Sequence, residues 1–167
     1  MTAGRQQRKR SNAIRAALAA LVVALQAIAL SEERAAATER IVVDRHTGLA
    51  IGGYDPVAFY TDGQPKVGSA DLELSYGGAV WRFCNVGNRA AFVARPDVYM
   101  PQFGGYDPVG VAHGVAVAGN PTLWVVRGGR LYLFYDSDRL KTFTADAERI
   151  TAAAERKWPG VMRPLSP

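Results

Sequence analysis

Gly52-Gly53-Tyr54-Asp55-Pro56-Val57 returns as Gly104-Gly105-Tyr106-Asp107-Pro108-Val109, six identical residues 52 positions apart. Each copy has a local physical meaning. Paired glycines permit a sharp turn with positive φ. Asp is a good helix cap, because its carboxylate accepts a hydrogen bond from a free backbone N–H at a helix start. Pro suits the first helical position, where its missing N–H costs nothing. The motif therefore predicts turn, cap and short helix, twice, with a tyrosine just before each cap.

The segments around the copies supply the rest of the fold. Leu72-Glu73-Leu74-Ser75-Tyr76 and Ala79-Val80-Trp81-Arg82-Phe83 alternate apolar and polar on either side of Gly77-Gly78. That pattern is a β-hairpin with a two-residue turn. A second hairpin follows at 123–127 and 130–135, around Gly128-Gly129, and is richer in aromatics. Asn85 is placed to cap a helix that ends before Pro96, and 96–99 fits one more helical turn. The second motif copy starts a helix that Gly114 terminates. Ser137 or Asp138 caps a short helix through Phe143. A longer helix runs from Ala145 to Trp158, with Ala147, Ile150, Ala154 and Trp158 on one face, and Pro159 stops it. Beyond the six-residue motif the two halves show no alignment. The prediction is a small single α+β domain, with two β-hairpins packed against short helices and a longer C-terminal helix.

Composition narrows the function. The 167 residues carry a net charge of +5. Residues 1–37 hold six Lys/Arg against two Asp/Glu, and the remainder holds fourteen against thirteen. The body is nearly neutral, which removes the main support for a nucleic-acid partner. Arg5, Arg8, Lys9, Arg10 and Arg15 precede an apolar run over 16–30. Ala27-Ile28-Ala29 and Ala35-Ala36-Ala37 offer small-residue cleavage sites. This is the grammar of a secretory signal. The apolar run is shorter than the ~20 residues of a typical spanning helix, so a membrane contact would come only through 16–30 left uncleaved. The expected layout is a signal peptide or anchor over 1–37, a linker over 38–47, a domain over 48–160 and a flexible tail over 161–167. The expected location is the periplasm or cell envelope.

The core of the sequence resembles the YHS domain family. The resemblance runs through Tyr76-Gly77-Gly78-Ala79-Val80-Trp81-Arg82-Phe83-Cys84-Asn85, then Asn88-Arg89, Phe92, Pro96 and Tyr99. The longer frame, from Gly52 to Trp158-Pro159, is similar to exported bacterial YHS-domain proteins. Many of those have no assigned activity. Metal-handling relatives place thiols in an Asp-Pro-Val-Cys and a Phe-Cys-x-x-x-Cys segment. Here those positions leave Ala58 and Cys84, and Asp107 stands where exported relatives often have a further cysteine. The resemblance thus implies an exported, non-catalytic module that binds a small ligand or a protein partner, with no cofactor. Copper-type metal handling, resting on Cys84 and His113, is the alternative.

Candidate residues each have two readings. Asp55 and Asp107 are caps busy with their own helices. If the copies meet, they form with Tyr54 and Tyr106 a ligand pocket, with His113 nearby. Cys84, just before a helix, is a reactive thiol or a small buried apolar residue. His113 beside Gly114 favours a helix C-terminus, and His46 lies in a connector. Trp81, Trp124, Tyr132, Phe134 and Tyr135 fit core and cross-strand pairs. No nucleophile–base spacing, phosphate-binding loop or local zinc-ligand pair is present.

Overall fold

The computed structural model describes residues 40–165, and the proposed signal or anchor over 1–37 lies outside them. Among the described residues there are two antiparallel two-stranded sheets and six α-helices. The first half holds α1 (Ala58–Thr61), β1 (Ser69–Tyr76), β2 (Ala79–Phe83), α2 (Val86–Ala94) and α3 (Pro96–Tyr99). The second holds α4 (Pro108–Ala112), β3 (Asn120–Arg127), β4 (Arg130–Phe134), α5 (Ser137–Ala145) and α6 (Ala147–Met162). This is the α+β domain expected from the sequence, with both hairpins in the predicted register.

The two halves are structural repeats, which corrects the expectation that they align only at the motif. β1 and β3, β2 and β4, and α2 and α5 each begin 51 residues apart. The motif copies are 52 apart. One residue is missing from the loop after the second copy, so a comparison at one fixed offset loses the match. Fine detail repeats as well. Both hairpins pair five positions and carry a register shift at the same place, between Ser69 and Glu73 and between Asn120 and Trp124. Tyr54 bridges Val67 as Tyr106 bridges Ala118. The turns use Gly77-Gly78 (φ 63°, 85°) and Gly128-Gly129 (φ 60°, 71°). Both central residues of each turn are left-handed, the conformation that matches the strand twist and that glycine adopts without steric cost. Ile51 (φ 44°) and Phe103 (φ 55°) are the two non-glycine residues with positive φ among the described ones. They occupy the same place, one residue before each Gly-Gly pair. Both are buried, and packing holds each in a conformation that costs about 1–3 kcal/mol.

Two aromatic cores result. The first contains Ile51, Val57, Phe59, Trp81, Phe83 and Phe92. The second contains Tyr106, Val111, Phe143, Ile150 and Ala154. β4 lies between them. Its Leu131 and Leu133 enter the first core, and Tyr132 and Phe134 enter the second. A strand buried on both faces needs a continuous apolar run, which is what Leu131-Tyr132-Leu133-Phe134 provides. β2, by contrast, alternates buried and half-buried residues.

Several boundaries differ from expectation. α1 begins at Ala58 rather than at Pro56, because Asp55 first closes a turn onto Val57 and Ala58. The cap of α5 is Asp136, one residue earlier than Ser137. α6 continues through Pro159 to Met162. Loss of one helical hydrogen bond there is offset by burial of Val161, and Leu165 beyond it, in the second core. The start of the expected tail is thus packed. At the other end Val42 donates its N–H to Gly104 O (2.8 Å) and Ile41 packs on the first core. The stretch expected as linker therefore takes part in the domain. None of the described helices is long and apolar enough to cross a membrane.

Candidate functional site

Each motif aspartate is fully buried and ties its own half together. Asp55 Oδ1 accepts from the N–H groups of Val57 (2.8 Å) and Ala58 (3.4 Å). Its Oδ2 accepts from Cys84 N (2.8 Å), just past β2, and from Asn88 Nδ2 (2.7 Å) on α2. Asp107 repeats the scheme. Its Oδ1 accepts from Val109 N (2.8 Å) and Gly110 N (3.0 Å), and its Oδ2 accepts from Tyr135 N (2.8 Å), just past β4. In place of Asn88 stands Arg139 on α5, with Nη1 3.6 Å from Asp107 Oδ1. That distance makes an ion pair without a hydrogen bond, and Nη1 is buried with no hydrogen-bond partner. The guanidinium also lies 3.9 Å from Asp136 and over the Tyr135 ring at 5.8 Å.

The capping role expected of both aspartates is present, and a second role accompanies it. One oxygen caps, and the other accepts from the backbone N–H just past the following hairpin; the third residue of the next helix completes each clip, Asn88 at the second oxygen of Asp55 and Arg139 as an ion pair beside the capping oxygen of Asp107. A buried carboxylate needs such partners, since an unpaired charge in the interior is costly. The residues that complete the clips, Asn88 and Arg139, were not among the candidates from sequence. Their common place, four residues beyond Cys84 and Tyr135, is the signal that marks them.

Asp55, Asp107 and Tyr106 are buried, and among the described residues the two carboxylates share no hydrogen-bond partner. Tyr106 packs against Trp158 at 6.1 Å between ring centroids. Tyr54 is half-buried against the first core. His113 is exposed at the end of α4, with Nδ1 2.7 Å from Val109 O, so its ring caps the helix C-terminus.

Cys84 is half-buried, with Sγ 3.5 Å from Val67 O. Burial first, and the negative charge of Asp55 second, push its thiol up to about 11. It is thus held as a thiol, opposite to a low-pKa reactive cysteine. Among the described residues no group of three or more His, Cys, Asp or Glu is arranged to hold a metal ion.

Two open cavities occupy repeat-related places, between a hairpin turn and the segment after the following helix. The first, about 350 Å³, has Tyr76, Gly77, Trp81, Met100, Pro101 and Gly104 in its lining. The second, about 460 Å³, has Arg127, Gly128, Tyr132, Thr151, Ala152 and Glu155 at the corresponding positions. All six pairs are 51 residues apart. Architecture is kept while the repeat-related lining changes from aromatic and apolar to charged; Arg40 and Ile41, which precede the repeat, also border the first cavity. Comparison with family models, with curated proteins and with solved structures gives no match to this chain.

Proposed function

We propose that the chain is an exported, non-catalytic YHS-type module of the cell envelope that binds a small apolar ligand in the first cavity. The observation that carries this reading is the lining of that cavity. Trp81 forms a fully buried wall whose indole N–H is satisfied by Tyr76 O (2.9 Å), and Tyr76 and Met100 supply the apolar surface that a guest can reach. Tyr76 is 41% exposed and stands at the mouth beside Met100 and Pro101. The volume falls within the ~300–1,000 Å³ of small-molecule sites. The engaged carboxylates of Asp55 and Asp107 support a scaffold rather than acid–base work. The motif pair, in this reading, fixes the walls of the cavity. Export rests on the signal-like grammar of residues 1–37.

The test is titration of the full chain with N-phenyl-1-naphthylamine, a neutral apolar fluorophore. Saturable binding is expected, with a raised melting temperature, because a native-state ligand stabilises by mass action. Tyr76→Ala should weaken it severalfold, and circular dichroism checks that loss of the edge contact between Tyr76 and Phe92 (5.8 Å between centroids) leaves the variant folded. Absence of saturable binding, or equal binding by Tyr76→Ala, overturns the proposal.

A further inference from the structure

We infer that the second cavity binds a small zwitterion of the apolar α-amino-acid class. Its carboxylate would lie toward Arg127 and Arg130, its ammonium toward Glu148 and Glu155, and its side chain on the aromatic floor. The inference concerns a different cavity from the one above and does not depend on it.

The walls carry opposite charges. Arg127 and Arg130 flank the turn of the second hairpin. Glu148, Thr151, Ala152 and Glu155 stand at i, i+3, i+4 and i+7 of α6, a single helical face. Basic and acidic groups so placed have a simple alternative, which is to pair with each other. They do not. None of Arg127, Arg130, Glu148 and Glu155 takes part in an ion pair among the described residues, and Arg130 hydrogen-bonds only to Gln102 (Nη1 to Oε1, 3.2 Å). Nearby Arg139, Lys141 and Arg149 each have an acidic partner.

The floor separates this arrangement from an ordinary solvated surface. Tyr132, Phe143 and Ala147 are buried in the second core and also line the cavity. A guest must therefore offer an anion to one wall, a cation to the other and an apolar group between them. The repeat supplies a second argument. At the equivalent positions of the first half Tyr76 and Ala79 stand where Arg127 and Arg130 do and Gly104 where Glu155 does, while Glu148 alone keeps an acidic counterpart, Asp97, which pairs with Arg95. The charge pattern is therefore not demanded by the architecture.

Calorimetric titration of the full chain with three probes tests this. L-leucine carries both charges, 4-methylpentanoate lacks the ammonium and 3-methylbutylamine lacks the carboxylate. Leucine should bind at least about fivefold more tightly than either, a modest factor because the walls are exposed and screened. Arg127→Gln should reduce the preference of leucine over the amine by about threefold, and Glu155→Gln its preference over the acid by a similar factor. Both replaced side chains are exposed, so folding should be unaffected. Tyr76→Ala should leave leucine binding unchanged, which keeps failure here distinct from failure of the first cavity. No saturable leucine binding up to on the order of 20 mM overturns the inference. So do equal affinities for the three probes, or variants that bind leucine like the parent.

Discussion

Replacing Asp107 by Asn leaves one oxygen where two are needed. Three backbone N–H groups and the Arg139 guanidinium converge on the carboxylate. The better orientation of the new amide keeps its oxygen on Val109 and Gly110 and turns its NH₂ toward the Tyr135 N–H. Donor then faces donor, and one buried N–H is orphaned at about 1–3 kcal/mol. The Arg139 pair adds about 0–1 kcal/mol, because its side chain is 32% exposed and partly screened. The expected loss is about 1–4 kcal/mol, or roughly 5–15 °C in melting temperature for a domain of this size. Asp55→Asn should cost up to about 1 kcal/mol less, because it breaks no ion pair and Asn88 can rotate its amide to present oxygen to the new NH₂, leaving the Cys84 N–H as the one orphan. Urea and thermal unfolding followed by circular dichroism would measure both. A loss below about 0.5 kcal/mol for Asp107→Asn, or a larger loss for Asp55→Asn, refutes this account of the clips.

Gly68→Ala and Gly119→Ala should both destabilise by about 2 kcal/mol or more, since the new methyl would sit 2.4 Å from Arg82 C in one half and 2.6 Å from Leu133 Cβ in the other. Unfolding curves of the pair would check the equivalence of the halves. Gly160→Ala meets open space inside α6 and should stabilise by about 0.5–1 kcal/mol in the same assay. Cys84 should react with iodoacetamide about a hundredfold more slowly at pH 8 in the folded chain than in urea, with an inflection near 11 instead of the ordinary 9. Because the folded thiol keeps its proton longer than the unfolded one, this group makes stability fall as pH rises from about 9 to 11, which base titration of the melting temperature would show.

Most of the fold was legible locally. Gly77-Gly78 and Gly128-Gly129 between alternating runs specify their hairpins by turn chemistry, and Asn85 specifies its helix start through its own side chain. What sequence reasoning missed depends on contacts between distant segments. The second oxygen of Asp55 reaches residues 29 and 33 positions away, and nothing at Asp55 announces them. Pro159 reads as a stop because its chemistry is local, whereas burial of Val161 in a core built elsewhere carries the helix past it. The repeat was hidden by one missing residue in a loop. The cavities were hidden for the same reason, since Tyr76 and Gly104, or Arg127 and Glu155, meet only once the chain has folded back.

β4 carries a consequence for how the molecule comes apart. A duplicated chain whose halves each close their own core would melt in two steps, and either half could be produced alone. Here Leu131 and Leu133 belong by sequence to the second half and by packing to the first. Cutting the chain between the halves, after residue 101, would strip both leucines from the first core, at about 1.5–3 kcal/mol each, a large share of the stability of a small domain. The second half would meanwhile lose Val42, which packs against its core and anchors Gly104. The repeats are bound into one cooperative unit. Amide hydrogen exchange in the strands of both hairpins should accordingly share one slowest rate, set by opening of the whole domain.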